Sequence, residues 1–261
     1  VEGNYKVRAT ADGYLVEEQD IRLREEPLVV DFTLTAIPRV AVLNDYSTAA
    51  GFGSVLREKG IPVTNLTVGN VVEEISKYDV LFVNQTSTTA FKKENLDALL
   101  KAADETRTSV IFTDSPISQL KVLRGDPGVR ERAAVTNMDA GYVVEKKHPI
   151  FGEAEEGDYL PILIGSKSTI GYFNNYSGTG IATIKHEGRD PYGLGIAFKP
   201  RTSGSVELLM GGHGFSISHT SEHYTEEGKD LLIRAVLWAA NANFATASGT
   251  VKDVEGKPVS A

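Results

Sequence analysis

Apolar residues recur along the central part of the chain in two alternating patterns. Four short stretches are rich in apolar residues, at 39–45, 61–66, 79–84 and 109–114. Between the last two, Leu96, Leu99, Leu100 and Ala103 follow the i, i+3, i+4, i+7 spacing of a helix with one buried face. Apolar strands that alternate with amphipathic helices predict a parallel sheet covered on both faces. We therefore expect a mainly parallel, doubly wound α/β sheet that begins at Pro38.

The second half of this region changes to strand periodicity. Short alternating stretches occur at 169–173, 180–185, 194–198 and 206–210, and residues 129–160 show no dominant pattern. The four stretches predict an antiparallel extension of the sheet. A final helix is predicted after Thr225, a candidate N-cap that is followed by two glutamates in the first turn. This helix closes the α/β domain, whose predicted bounds are 38–241.

The two ends of the chain differ from the centre. Residues 1–37 alternate apolar and polar positions in three short runs, which predicts a small, half-buried antiparallel sheet. Residues 242–261 are expected to be the start of a second β domain or a linker. Because an unpaired strand edge recruits partners, the tail from about Gly249 to Val259 is expected to pair with the N-terminal sheet, in the same or a neighbouring chain.

Composition excludes several classes of function. The formal net charge is −8 and no basic cluster is present, so we expect no nucleic-acid partner. No apolar run approaches the roughly 20 residues that a membrane span needs. The sequence has no cysteine, which removes disulfides, thiolate metal ligands and a cysteine nucleophile. No cofactor or metal is expected.

Polar side chains gather where the predicted parallel strands end. In an open parallel sheet, ligands bind beyond the carboxyl ends of the strands. The candidate ligand-binding residues there are Asn44, Asp45, Asn84, Gln85, Asp114, Ser115 and His213. These mostly neutral hydrogen-bonding groups suit sugar hydroxyls better than phosphate, and the aromatic run Tyr172, Phe173 and Tyr176, with Tyr192, offers a stacking surface. The alternative is that these Asn and Asp residues only cap helices.

Both ends of the chain carry motifs of one β-sandwich family. The run from Gly3 to Tyr14, followed by Val30–Thr35, resembles the second half of a carboxypeptidase regulatory-like (PEGA-like) sandwich, and the run from Ala247 to Ala261 resembles the opening strands of the same family. The resemblance implies a fragment of a larger exported bacterial protein, such as a secreted subtilisin-like peptidase. It also implies an extracellular or cell-surface location.

The α/β region resembles a second family. The segments Leu208–Gly214, Leu231–Ala240 and His148–Gly152 are similar to the ThuA-like branch of the class I glutamine amidotransferase-like, flavodoxin-like fold. That family needs a Cys at a strand-to-helix elbow, a His after a late strand, and a Glu two residues beyond it. Here the corresponding positions hold Ser115, His213 and Phe215. Pro116 also removes a backbone N–H that an oxyanion hole would use.

These departures predict a catalytically silent accessory module that binds carbohydrate or another protein domain or acts as a spacer, with no catalytic residue of its own. One alternative is a ThuA-like enzyme that acts on a sugar through Asp45, Asp114 and His213. A serine hydrolase would need Ser115 beside a base, but Ser115 also suits the N-cap of the next helix, with Pro116 at the first helical position. A zinc hydrolase would use the H-x-x-E-H motif from His219 to His223.

Overall fold

A computed structural model of the chain describes residues 3–23, 29–44, 52–85, 91–134, 138–164, 169–212, 221–240 and 244–250. The chain divides into two compact units. One comprises residues 38–241, and the other comprises residues 1–37 together with residues 242–261.

The described elements follow one another from β1 to β15 and from α1 to α5. Those up to α4 are β1 Gly3–Ala9, β2 Glu17–Leu23, β3 Val29–Thr35, β4 Val40–Asn44, α1 Phe52–Glu58, β5 Val63–Leu66, α2 Val71–Glu74, β6 Val80–Gln85, α3 Lys93–Thr106, β7 Ser109–Thr113 and α4 Asp114–Arg124. The remainder are β8 Val129–Ala134, β9 Ala140–Val144, β10 Tyr159–Leu163, β11 Thr169–Asn174, β12 Thr179–His186, β13 Gly193–Pro200, β14 Val206–Met210, α5 Glu226–Ala239 and β15 Phe244–Thr250.

Five strands of the larger unit are parallel and lie in the order β5-β4-β6-β7-β14. Numbered by their sequence among themselves, this is the order 2-1-3-4-5 of a flavodoxin-like sheet. β4, β6 and β7 are the apolar stretches that the sequence predicted as strands, and β7 is buried along its whole length. The prediction of a mainly parallel, doubly wound α/β sheet is confirmed.

The antiparallel extension is confirmed for three of the four predicted stretches, and it is larger than predicted. The prediction was wrong for 206–210, because this stretch forms β14, which pairs with β7 in parallel. Beyond β14 the sheet continues through β13, β12, β9 and β10, while β11 pairs with β13 and β8. Three of these strands, β8, β9 and β10, come from the region that showed no dominant periodicity. β9 is almost wholly buried and β8 carries charges of alternating sign. Neither strand therefore shows the alternation of apolar and polar residues that marks a half-buried strand.

Helix faces match the spacing of apolar residues. α3 buries Leu96, Leu99 and Ala103 against the sheet, as its spacing predicts. α5 begins at a Thr225 N-cap whose Oγ1 accepts a hydrogen bond from the Gly228 N–H at 2.9 Å. At its other end, the Ser109 hydroxyl of β7 donates to the Ala239 carbonyl at 2.6 Å. This bond fixes the end of α5 to β7 of the parallel sheet.

The smaller unit contains two strand pairs. β1 pairs with β2 in antiparallel register, and β3 pairs with β15 over seven residues, from Val29 opposite Thr250 to Thr35 opposite Phe244. Val30, Phe32 and Leu34 form its buried core. The pairing strand from the tail thus begins earlier than the expected stretch from Gly249 to Val259, and positions beyond 250 lie outside the described residues. The same unit contains both ends of the chain.

Candidate functional site

The carboxyl ends of the parallel strands lie together at one edge of the sheet. β4 ends at Asn44, β6 at Gln85, β7 at Thr113 and β14 at Met210. Met210 is in register with Thr113, so the neighbouring strands end at the same level. We call this border, from β4 to β14, the strand-end edge. It is where the sequence placed its candidate ligand-binding residues.

Asn84 and Thr113 form a buried polar pair at the strand-end edge. Asn84 is 4% exposed and Thr113 is fully buried. The Thr113 hydroxyl donates to Asn84 Oδ1 at 3.1 Å, and it lies 3.5 Å from the Val83 carbonyl. In the described part of the chain, Thr113 is the one hydrogen-bond partner of the Asn84 side chain. The bond to Oδ1 fixes the orientation of the amide, so its Nδ2 points away from Thr113.

β7 passes into α4 without an intervening loop. Thr113 is the N-cap in extended conformation, Asp114 is the first helical residue and Ser115 the second. The prediction that Ser115 is the N-cap and Pro116 the first helical residue is therefore wrong by two positions. The reason is that Thr113, although the last residue of a buried strand, already has the backbone conformation that starts the helix. Its hydroxyl is engaged with Asn84 and makes no capping bond.

A glycine pair terminates β14 at the same edge. The Gly211 N–H donates to the Gly195 carbonyl at 2.7 Å, and the Tyr142 hydroxyl donates to the Gly211 carbonyl. A Cβ on Gly211 would lie 2.3 Å from the Gly171 carbonyl oxygen. Gly212 has φ +85°, a conformation that favours glycine. The chain is therefore held tightly where it leaves the strand toward His213.

The structure describes the predicted site only in part. Asp45 and His213 lie outside the described residues, as do the side chains of Asn44, Gln85, Asp114 and Ser115. The backbone of the last four residues lies at the strand-end edge, and the Asn84 side chain is buried there. Whether Asp45, Asp114 and His213 converge on one point stays a prediction.

Two of the four predicted stacking residues face the core. Phe173 is fully buried, and the Tyr176 hydroxyl donates to Glu207 Oε1 at 2.8 Å. The other two, Tyr172 and Tyr192, are half-buried and stack on each other, with ring centroids 5.6 Å apart and an interplanar angle of 26°. The alternation of side chains along β11 separates Tyr172 from Phe173. The stacking surface is therefore limited to the tyrosine pair.

A buried ionic network lies at the amino end of β14, away from the strand-end edge. Glu207 is 2% exposed and accepts hydrogen bonds from Arg124 and Tyr176, while Arg201 lies 3.8 Å away. Burial acts to lower the pKa of Arg124, but its bonds to Glu207 outweigh burial and raise that pKa. Sequence reasoning missed this network, although a glutamate inside the apolar strand 206–210 was a visible signal. All these groups are paired, which favours a structural role.

Metal ligands are not grouped in the described residues. No set of three His, Asp or Glu side chains there is arranged to hold a metal ion. His223 lies in a 3₁₀ turn, Ser221–His223, and His219 lies outside the described residues. Within the described ranges, no helix has the length and apolar character of a membrane span.

The strand order defines the class of protein as α/β, with a flavodoxin-like parallel sheet. No protein-family model and no curated protein matches the sequence. Among solved structures, a protein of Thermoplasma acidophilum, provisionally described as a GMP synthase subunit, is 12% identical over 78% of this chain and 94% of its own, with a TM-score of 0.43. A glutamine amidotransferase from Methylobacillus flagellatus is 11% identical over 78% of this chain and 95% of its own, also with a TM-score of 0.43. Because the sequence identities and TM-scores of both matches are low, the fold assignment depends on the strand order of this chain.

Proposed function

We propose that residues 38–241 are a catalytically silent, glutamine amidotransferase-like accessory module that binds carbohydrate or another protein at the strand-end edge. The observation that carries the proposal is the junction of β7 and α4. There the strand enters the helix directly at Thr113 and Asp114. The amidotransferase resemblance places a cysteine nucleophile at such an elbow, and this sequence contains no cysteine.

The groups at this elbow support binding rather than nucleophilic attack. Thr113 donates its proton to Asn84, so its hydroxyl is not activated by a base. Pro116, the third helical residue, lacks the N–H that could stabilise an oxyanion. A neutral amide and a hydroxyl beside carboxyl-end positions are groups that hold a ligand without changing it.

The setting of the module is part of the proposal. The motifs shared with regulatory-like sandwiches, at residues 3–35 and 247–261, support its place in a larger exported bacterial protein, with an extracellular or cell-surface location. The ThuA resemblance remains the alternative, as an enzyme acting on a sugar.

Two assays on the full chain test this proposal. Glutamine hydrolysis is measured first, and we expect no turnover above buffer; turnover abolished by Ser115→Ala would overturn the silent assignment. Binding is measured next on carbohydrate and protein arrays, with wild type, the Asp45→Ala, Asp114→Ala double variant, and a control in which the exposed Asp20 and Asp97 are replaced by alanine. Loss of binding in the first double variant alone supports the strand-end edge as the site. Equal binding by all three contradicts it.

A further inference from the structure

We propose that β5 is a docking edge at which a second copy of this chain adds its own β5, so that the sheets of two larger units join into one. We call the side of β5 that faces away from β4 the lateral edge. The inference goes beyond the proposed function and does not depend on it, because the lateral edge lies outside the strand-end edge. Unpaired backbone groups and the lack of charge carry the argument.

The lateral edge presents unpaired backbone groups. β5, Val63–Leu66, is the last strand at its end of the sheet and pairs in parallel with β4. A strand with a neighbour on one side exposes the remaining N–H and C=O groups on the other side. In the described residues, no other backbone or side-chain group forms a hydrogen bond with β5. Another strand would pair these groups, and main-chain pairing of this kind is a common mode of recognition.

The other edges of the same sheet are protected against strand addition. Residues 221–225 cover the outer side of β10, where the Ile164 N–H donates to the His223 carbonyl at 3.0 Å. β8, whose one partner among the described strands is β11, carries three consecutive charged residues, Arg130, Glu131 and Arg132. A covering segment and charged side chains are both devices that keep natural sheets from pairing with other chains. In the described part of the chain, β5 has neither device.

The sequence around the lateral edge is uncharged well beyond the strand itself. Residues 60–72 contain no aspartate, glutamate, lysine or arginine. Thr64 and Asn65, in the middle of β5, are exposed, and Val72 at the end of the run is 43% exposed. Because the chain has a net charge of −8, two copies repel each other over most of their surfaces. The uncharged run makes the lateral edge a place where two copies approach without this local repulsion.

Two-fold symmetry favours a second copy of the chain as the partner. When two copies pair the same edge strand about a two-fold axis, the strands run antiparallel and the residue at the axis meets its own copy. A charged residue at that position would meet a like charge, which destabilises the pair. The exposed residues in the middle of β5 are instead Thr64 and Asn65, whose neutral side chains both donate and accept hydrogen bonds. β5 is therefore suited to pair with itself.

The length of β5 sets the expected strength of the dimer. Its four residues span about 13 Å. Such an edge buries much less than the roughly 1,600 Å² of a standard stable interface. We therefore expect a weak dimer, with a dissociation constant on the order of 100 µM.

Sedimentation velocity on the full chain tests the inference. We expect wild type to change from monomer to dimer as its concentration rises from roughly 5 µM to 1 mM. Thr64→Lys and Asn65→Lys each place like charges near the axis and should weaken dimerisation at least roughly tenfold. Thr202→Lys is the matched control, since it adds the same charge at an exposed threonine beside the amino end of β14, four strands from β5. This control should dimerise as wild type does.

Amide hydrogen exchange shows whether β5 is the strand that pairs. In wild type, exchange at residues 63–66 should slow as the concentration rises, because outward-facing N–H groups become bonded in the dimer. A dimer that forms without this slowing, or that both lysine variants retain, overturns the inference. A chain that stays monomeric up to roughly 1 mM also overturns it, and the lateral edge is then left to a strand of a different protein. If a lysine variant does not fold, as judged by circular dichroism, the exchange of wild type decides the result.

Discussion

Arg124, the last residue of α4, forms a two-pronged ion pair with Glu207 of β14. Arg124 Nη1 lies 2.9 Å from Oε2 of the carboxylate, and Nη2 lies 2.5 Å from Oε1. The Arg124 Nε also donates to the Asp126 carbonyl at 2.8 Å. Arg124 thus joins the end of α4, the following turn and a buried strand. Loss of this ion pair should therefore lower the stability of the whole unit.

We expect Arg124→Met to destabilise the protein by about 3 kcal/mol, because Glu207 would keep its buried charge without its main partner. Tyr176→Phe should cost less, about 1–2 kcal/mol, since it removes one hydrogen bond to the same carboxylate. Urea unfolding measures the change in the free energy of unfolding for both variants. The exposed pair Lys101–Glu105 provides a control, and Lys101→Ala should change stability by less than about 0.5 kcal/mol. Equal midpoints for Arg124→Met and Lys101→Ala would contradict a structural role for the network.

His148 should report its own protonation through the only tryptophan in the sequence. Its ring lies edge-on to the ring of Trp238, with the two ring centroids 4.6 Å apart. Burial lowers the pKa of His148 from its ordinary value near 6.5. Because an imidazolium quenches indole emission, Trp238 fluorescence should fall on acidification with a midpoint below pH 6.5. His148→Gln should abolish this transition. A midpoint at or above 6.5 would show that burial does not control the group.

The same pKa shift has a consequence for stability. Between about pH 6.5 and the lower folded pKa, the unfolded chain binds a proton at His148 that the folded chain does not. The free energy of unfolding should therefore decline as the pH falls from 6.5 toward the folded pKa, and this contribution should level off below it. Wild type and His148→Gln, compared by urea unfolding at pH 7.5 and 5.5, should differ in this decline.

Asp79 should stabilise the fold only while it is ionised. Burial acts to raise its pKa, but the Arg39 side chain and the Arg39 backbone N–H outweigh burial and hold that pKa below its usual value. Its contribution is present above the unfolded pKa of about 3.9 and is lost as the pH falls through the lower folded pKa. Asp79→Asn should thus cost up to about 1 kcal/mol at pH 6, and clearly less at pH 2.5, in urea titrations. A difference independent of pH would refute the electrostatic explanation.

Gly211 should tolerate no side chain. A methyl group there would lie 2.3 Å from the Gly171 carbonyl oxygen, so the backbone of one strand must shift. We expect Gly211→Ala to cost about 3 kcal/mol. Gly69→Ala is the matched control, since the nearest atom to its added Cβ would be 3.7 Å away, and it should stay within about 0.5 kcal/mol. Thermal unfolding separates the two, and a Gly211→Ala protein as stable as Gly69→Ala would mean that the turn adjusts freely.

Local periodicity predicted the parallel half of the fold but not the strands between α4 and β11. β6 and β7 each contain an uninterrupted apolar run, Val80–Val83 and Val110–Phe112, and α3 has a clear apolar stripe, so each element carries its own signal. β8, by contrast, contains arginine and glutamate and is held by its pairing with β11 from Thr169 opposite Ala134 to Asn174 opposite Val129. Such a strand depends on a partner more than thirty residues away, and no local pattern encodes it.

The candidate site was predictable by position and not by contact. Strand ends could be located from the sequence, which placed Asn84 correctly at the carboxyl end of β6. The bond from Thr113 to Asn84 could not be foreseen, because it depends on the register of two parallel strands. The stacking of Tyr172 on Tyr192 likewise depends on the turn between β12 and β13. The Glu207 network requires the ends of α4 and β14 to meet, which only the assembled sheet brings about.

The pairing of β3 with β15 also sets the order in which the chain can fold. Thr35 and its partner Phe244 are separated by more than two hundred residues, so β3 leaves the ribosome long before its partner exists. At 5–20 residues per second this delay is roughly 10–40 s, ample time for a domain to fold. The α/β unit should therefore be native before the smaller unit can close. Translation arrested before Phe244 would leave one edge of β3 without its strand, so the smaller unit depends on synthesis having passed β15.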